Sequence, residues 1–216
     1  MNIAIIGAGN VGTSLGKGWG VAKHHIEFGV ADLDDAKQQR IGKRVPGATV
    51  KTVEHAVRDS DVVVLAVPWS AVPDALRACG DLSGRILIDV TNPLQEGPNG
   101  LELALGFSTS GGEMVAQLAP GASVFKTMNQ VGFAVMSDTA GYTVQPAMFV
   151  AGDDSDRKPQ VMALVADLGF EALDAGPLRN SRLREPYAML WIDQAVTHGA
   201  APTNAFGMLR KETGQC

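Results

Sequence analysis

Along the chain, short continuous apolar runs alternate with longer stretches of helical spacing. Asn2 to Ile6 is the first run, and a helix is expected from about Asn10 to Ala22. His25 to Ala31 reads as a strand, Asp34 to Arg40 as a helix, Ala48 to Val50 as a short strand, and Val53 to Val57 as a helix. Asp61 to Val67 (DVVVLAV) is the clearest buried strand. Such an unbroken run suits a parallel sheet covered on both faces. Helix is expected over Ala71 to Cys79, strand over Arg85 to Val90, and loop over the Gly- and Pro-containing Gln95 to Thr109. Then come a helix at Glu113 to Leu118, strands at Ser123 to Met128 and Ala147 to Gly152, a helix at Asp156 to Leu168 and a strand at Glu171 to Asp174. Residues from about Ser181 to Lys211 look helical, interrupted at Gly199 to Pro202, with Pro186 expected in a first turn or at a kink.

Strands alternating with helices predict βαβ units and a mostly parallel sheet of about eight strands. No composition shift marks a linker. The expectation is therefore a single α/β domain over 1–216, doubly wound, in which residues from about 178 to 216 form a helical C-terminal lobe. Apolar residues make up 45% and charged residues 19% of the chain, as in an ordinary globular protein. The net charge of −5 argues against nucleic acid as a partner, since phosphate binding needs clustered Lys and Arg. Cys79 and Cys216 belong to no CxxC or Cys/His cluster, so neither a disulfide framework nor a structural zinc is expected. The apolar runs fall short of the ~20 residues that a membrane span needs, and no signal peptide opens the chain. The expected location is a reducing cytoplasm.

The first strand runs into Gly7-Ala8-Gly9-Asn10-Val11-Gly12, which has the GxGxxG spacing. The three glycines serve different ends. The first allows a tight turn, the second lets backbone approach a pyrophosphate, and the third lets helix pack on strand. The pyrophosphate then meets free N–H groups at the positive end of the helix dipole. With the strand before it, the helix after it and Asp32 at the end of the second strand, this is the context of a Rossmann-type NAD(P) site. Asp32 can accept from the adenosine ribose hydroxyls and would repel a 2′-phosphate, which favours NAD. Its other reading is a helix N-cap. Lys37 or Arg40 could still reach a 2′-phosphate, so NADP stays open.

Ligands in such sheets sit at the carboxyl ends of the strands. Val67, Pro68 and Trp69 leave the DVVVLAV strand, where Trp69 could cover the cofactor or pack in the core. Thr91 and Asn92 leave the RILIDV strand. Asn92 offers donor and acceptor to a carboxamide or ribose, or else makes an Asn-Pro turn. Lys126, Thr127, Met128 and Asn129 leave the next strand. Lys126 and Asn129 are the candidate catalytic residues, and Lys126 could instead be a lysine directed to solvent.

GAGNVG, LAVPWSAV, DVTNPL, FKTMNQVGF, MFVAGDD and DAGPLRNSRLREP occur together in this order. The chain thereby resembles the coenzyme-F420-dependent NADP oxidoreductase family, which is related to the cytoplasmic domain of the six-transmembrane ferric reductases. Gly176 to Glu185 is its most specific element. The resemblance implies hydride transfer between a nicotinamide and a second carrier, F420 or a flavin, lying face to face. It further implies that Asn10, Val11, Pro68 and Trp69 line the dinucleotide, that Thr91 and Asn92 flank the nicotinamide, and that residues 127–129 lie near the transfer site. Members that read NADP tend to carry an Arg after the second strand, where this chain has Gly29-Val30-Ala31-Asp32.

Other candidates carry less. His24 and His25 lie at the opposite end of the sheet, His55 on a surface helix, and His198 near a helix end. Asp153 and Asp154 read as caps rather than metal ligands. Arg182, Tyr187, Trp191 and His198 could close over a second substrate, or form a packing or homodimer face. The reading is an NAD(P)-dependent oxidoreductase acting on a small redox substrate, with no metal and no membrane partner. The alternatives are a dinucleotide-binding sensor without turnover, and an imine- or hydroxyacid-reducing enzyme with Lys126 as general acid.

Overall fold

A computed structural model describes residues 1–98 and 100–211 of the chain. Cys216 lies outside the described residues. In chain order the elements begin β1 (Asn2–Ile6), α1 (Asn10–Val21), β2 (His25–Val30), α2 (Asp35–Arg44), β3 (Thr49–Thr52), α3 (Val53–Arg58) and β4 (Val62–Leu65). They continue α4 (Val72–Cys79), β5 (Ile86–Asp89), β6 (Leu94–Gly97), β7 (Gly100–Leu103), α5 (Gly111–Leu118), β8 (Ser123–Lys126) and α6 (Phe133–Met136). The last are β9 (Ala147–Gly152), α7 (Lys158–Asp167), β10 (Glu171–Asp174) and α8 (Ser181–Val196).

Eight strands form one sheet in the order β10-β9-β8-β5-β4-β1-β2-β3, and only the β8–β9 pair is antiparallel. The fold is the expected doubly wound, Rossmann-type α/β architecture, strand for strand. The chain winds outward from β1 through β2 to β3, then returns to β4 on the other side of β1. A crevice must open above β1 and β4, where the winding reverses.

The apolar runs are unbroken because both sheet faces are covered. Ile3 and Ile5 of β1 point into one core with Phe28, Val62, Val64 and Phe125. Ala4 and Ile6 point into the other with Val63, Leu65, Leu87 and Val124. Successive side chains alternate faces, so the central strands β1 and β4 need apolar residues at nearly every position.

Two expectations change. Gln95 to Thr109 is not all loop: β6 and β7 pair antiparallel from Leu94↔Leu103 to Gly97↔Gly100. Gln95, Glu96 and Glu102 are exposed, so the ribbon has no buried face to advertise it. Its reach is local, and Gly and Pro mask the short alternation. The helical C-terminal lobe also ends early. Helix α8 stops at Val196, and the described residues after it are irregular. Gly199 takes a left-handed φ of 64°, and the chain returns so that Phe206 accepts from the Ala147 amide at 2.9 Å. Pro186 lies inside α8 beyond its first turn, and has no N–H for the Arg182 carbonyl.

Trp19 on α1 is fully buried and donates through Nε1 to the Leu164 carbonyl of α7 at 2.8 Å. Trp19→Phe keeps most of the apolar volume but leaves that carbonyl unpaired. The expected loss is about 1–3 kcal/mol, read as a lower urea midpoint at unchanged m-value.

Candidate functional site

The crevice above β1 and β4 is two cavities of about 470 Å³ and about 580 Å³ that share Gly9 and Val67 in their walls. Gly7 closes the turn out of β1 at φ 103°. A Cβ there would stand 2.4 Å from the Ala66 carbonyl oxygen, and one on Gly12 would stand 2.1 Å from that of Gly7. These two glycines are therefore fixed by the protein's own packing. Gly9 differs: a Cβ there would meet nothing within 4 Å. It faces the open crevice, at the point where a pyrophosphate would have to come close. Gly9 is also the N-cap of α1 and offers no side chain to the first-turn N–H groups, which stay available to an anion. That cradle fits a dinucleotide pyrophosphate. Arg44, at the end of α2, adds a cation here by donating to Asn10 Oδ1 at 3.0 Å. Sequence reasoning missed it, because the contact spans 34 positions.

Gly29, Val30, Ala31, Lys37 and Arg40 wall the first cavity. Asp32 is exposed and outside that lining, with its backbone carbonyl accepting from Lys37 Nζ. Nor does it cap the following helix. Asp34 does, accepting from the Lys37 amide at 2.6 Å.

Asn10, Val11, Pro68, Trp69, Thr91 and Asn92 all border the second cavity, together with Leu94 and Phe133. The structure thus brings the phosphate loop and the strand-end residues to one place. None of the described residues lining this cavity is titratable. Phe133 closes the FKTMNQVGF motif, but its helix, α6, is a single turn with no periodicity to place it in the site.

Behind Thr91 and Asn92 lies a buried charge network. Lys126 is fully buried, its ammonium 2.8 Å from Asp89 Oδ2, 2.7 Å from the Thr91 carbonyl and 3.2 Å from Glu185 Oε1. The first two contacts are hydrogen bonds and the third is an ion pair. Asp89 accepts from both the amide and the hydroxyl of Thr91, at 2.9 Å and 2.7 Å. The network removes the solvent-directed reading of Lys126, which lines neither crevice cavity. Asn129, the other candidate, clasps Asn92. Its Nδ2 donates to Asn92 Oδ1 at 3.1 Å, while Asn92 Nδ2 donates to the Asn129 carbonyl at 2.9 Å. Met128, at a left-handed φ of 60°, makes the turn between Thr127 and Asn129.

Gly176 to Glu185, the most specific sequence segment, never touches the crevice cavities. Its Leu178 amide is held by Asp153, its Arg182 pairs with Glu113, and its Glu185 receives the Gly111 and Gly112 amides at 2.9 Å and 3.0 Å. It ties α8 and the N-terminus of α5 to the floor of the site. Asp153 and Asp154 accept from backbone amides, but neither is the expected N-cap of α7, whose N-cap is Arg157: Asp153 holds the distant Leu178 amide and Asp154 the amides of Asp156 and Arg157. His24 pairs with Asp167, His25 with Glu27, His55 with Thr52, and His198 with Asp193. Tyr187 packs on Phe206 and Trp191 donates to the Asn204 carbonyl, so these two hold the C-terminal segment while Arg182 is held by α5, and none of the three lines a crevice cavity. Cys79 is buried, and desolvation pushes its thiol up to about 12. Among the described residues no group of His, Cys, Asp and Glu could hold a metal, and no helix is long and apolar enough to cross a membrane.

A glycine turn under an open helix N-terminus, at the switch point of a doubly wound sheet, defines a dinucleotide-binding site of the Rossmann class. Residues 2–93 match the family described as NADP oxidoreductase, coenzyme F420-dependent. A solved candidate F420-dependent NADP-reductase from Arthrobacter sp. FB24 is similar at TM-score 0.87 and 26% identity, over 97% of this chain and 100% of that one. Metalloreductase STEAP3 of Rattus norvegicus is 28% identical over 136 residues, covering 62% of this chain and 26% of that protein. The redox-sensing transcriptional repressor Rex of Rubrobacter xylanophilus is 29% identical over 105 residues, 46% of this chain and 48% of that one. The chain thus spans about a quarter and about half of the length of these two curated relatives. The matches support the family resemblance carried by the motifs, and an NAD(P)-dependent oxidoreductase.

Two outcomes follow for the tie to α8. Glu185→Gln leaves Lys126 short of an anion inside the protein, and should cost about 3–5 kcal/mol by chemical denaturation. The Arg182 hydrogen bond holds the Glu113 carboxyl below its ordinary 4.5. That pair contributes fully above pH 4.5 and is lost as pH falls through the lower folded value. The Tm deficit of Arg182→Gln should therefore be largest at neutral pH and vanish in acid.

Proposed function

We propose that the protein passes a hydride between a nicotinamide seated beside Asn92 and a second redox carrier, flavin-like or deazaflavin, with small organic acceptors as the alternative. The observation that carries the dinucleotide half is the open space over Gly9, between two glycines whose own space is filled. The observation that favours a conjugated carrier is the absence of any titratable group among the described residues lining the second cavity. Reducing an imine or a carbonyl calls for a proton donor at the transfer site, and Lys126 does not line this cavity. A conjugated ring system accepts hydride by proximity and orientation.

The nicotinamide would supply the hydride. The chain's own residues bind and orient. The first-turn N–H groups of α1 would hold the pyrophosphate, with Arg44 steadying the Asn10 side chain beside them. Pro68, Trp69, Leu94 and Phe133 make an apolar wall that excludes water. Asn92 keeps one N–H and one lone pair beyond its clasp for a carboxamide or ribose hydroxyl.

Lys37 and Arg40 support NADP(H) as the cofactor. The NAD preference rests on Asp32, which stands outside the lining, and on the missing Arg after β2. The similarity to Rex keeps one further reading alive, a sensor that binds the dinucleotide without turnover.

Gly9→Ala should fold with unchanged Tm, yet bind NADPH and NADH at least about 10-fold more weakly, because only the ligand's space is filled. Unchanged affinity would move the pyrophosphate elsewhere. Lys37→Glu with Arg40→Glu should weaken NADPH and spare NADH in the same titration; equal losses would withdraw the 2′-phosphate reading. Oxidation of NADPH, followed near ~340 nm with F420, FMN or ferric citrate, tests turnover. Tight binding without oxidation by any of them selects the sensor.

A further inference from the structure

Arg184 is the anomaly of the buried charge system. It is 4% exposed, and its Nε and Nη1 are among the few described buried side-chain atoms with no hydrogen-bond partner. Its neighbour Glu185 commits its carboxylate to Gly111, Gly112 and Lys126 instead. Desolvation pulls the guanidinium down to about 9, still charged at neutral pH. Its contacts are Nη2 to Asn129 Oδ1 at 3.4 Å, Nη2 to Gln130 Oε1 at 3.2 Å, and the Phe149 ring, 5.6 Å away. A buried cation so poorly repaid weakens the fold, since apolar residues of similar size are commonly as stable or more so. Such a group calls for an explanation other than stability.

The explanation lies in hydrogen-bond polarity. A guanidinium only donates. Asn129 must therefore turn its amide oxygen to Arg184, which turns its Nδ2 to Asn92 Oδ1. Asn92 directs its Nδ2 to the main-chain carbonyl of Asn129, which can only accept. Gln130 is fixed in the same sense: its oxygen faces Arg184 and the Phe149 amide, and its Nε2 faces the Ala147 carbonyl. The donor-only Arg184 thus favours the one orientation of the Asn129 amide that also donates to Asn92 at the cavity wall.

We propose that Arg184 is a positioning residue that acts through the Asn129 side chain to keep Asn92 clasped at the hydride-transfer site. It touches neither cavity itself. The inference rests on reading the cavity beside Asn92 as the nicotinamide site.

Arg184→Met, Arg184→Gln and Arg184→Lys test it, with NADPH as donor and F420 or FMN as acceptor. Arg184→Met should keep or raise Tm and leave the NADPH KM within about 3-fold, while kcat falls about 10- to 100-fold. Arg184→Lys, also donor-only, should recover part of kcat, and Arg184→Gln, which can accept as well as donate, should not. In the free protein, hydrogen exchange of the Asn92 side-chain amide should be slow in the wild type and fast in the Met variant. Unchanged kcat in Met, a kcat loss that merely follows a fall in Tm, or Lys behaving as Met would each overturn the role. If Arg184→Met does not fold, the Lys–Gln contrast decides it. Should the wild type reduce neither acceptor, the hydride-transfer reading fails on its own, and the relay still stands or falls on the Asn92 exchange measurement.

Discussion

An ammonium with no exposed surface, Lys126, sits between Asp89 and Glu185, and the far wall of the crevice depends on it. Through Asp89 and the Thr91 carbonyl it holds the exit of β5. Through Glu185 it is joined to α8 and to the first amides of α5. Charges this deep persist only when every partner is in place, because the cost of drying them is several kcal/mol per ion. The network is thus all-or-none, and it makes three separated parts of the chain into one rigid support for Thr91 and Asn92.

The two ends of the crevice are built by different physics. The phosphate end is backbone: a turn that only glycine can make, a helix that leaves its first N–H groups uncapped, and guanidinium and ammonium groups supplied by α2. The other end is side chain: an apolar wall above, and below it a clasp of two asparagines set on buried ions. The first is a general anion cradle that any dinucleotide could use. The second has a defined polarity and no titratable group among the described residues of its lining, and this distinction bears on the chemistry.

Lys126 and Arg184 show why buried cations near a site need not be its acids. Lys126 has exchanged water for two carboxylates and a carbonyl. Arg184 has exchanged it for little, and faces amide oxygens that it can only orient. Neither lines a cavity, and both face residues that do or that clasp one which does.

The doubly wound sheet, its eight strands and the phosphate loop were legible in the sequence, because alternation of faces and the sterics of Gly7 and Gly12 are local rules. So were the residues at the exits of β4 and β5, since topology alone carries them to the crevice. The β6–β7 ribbon and the end of α8 were not, because exposed short strands and a returning tail leave no periodic pattern. The fate of Lys126, the contact of Arg44 with Asn10, and the work of Gly176 to Glu185 required tertiary structure. Each depends on partners far along the chain: the Arg44–Asn10 and Gly111–Glu185 contacts span 34 and 74 positions. A side chain's burial and its hydrogen-bond polarity are decided by such partners and not by its neighbours in the chain.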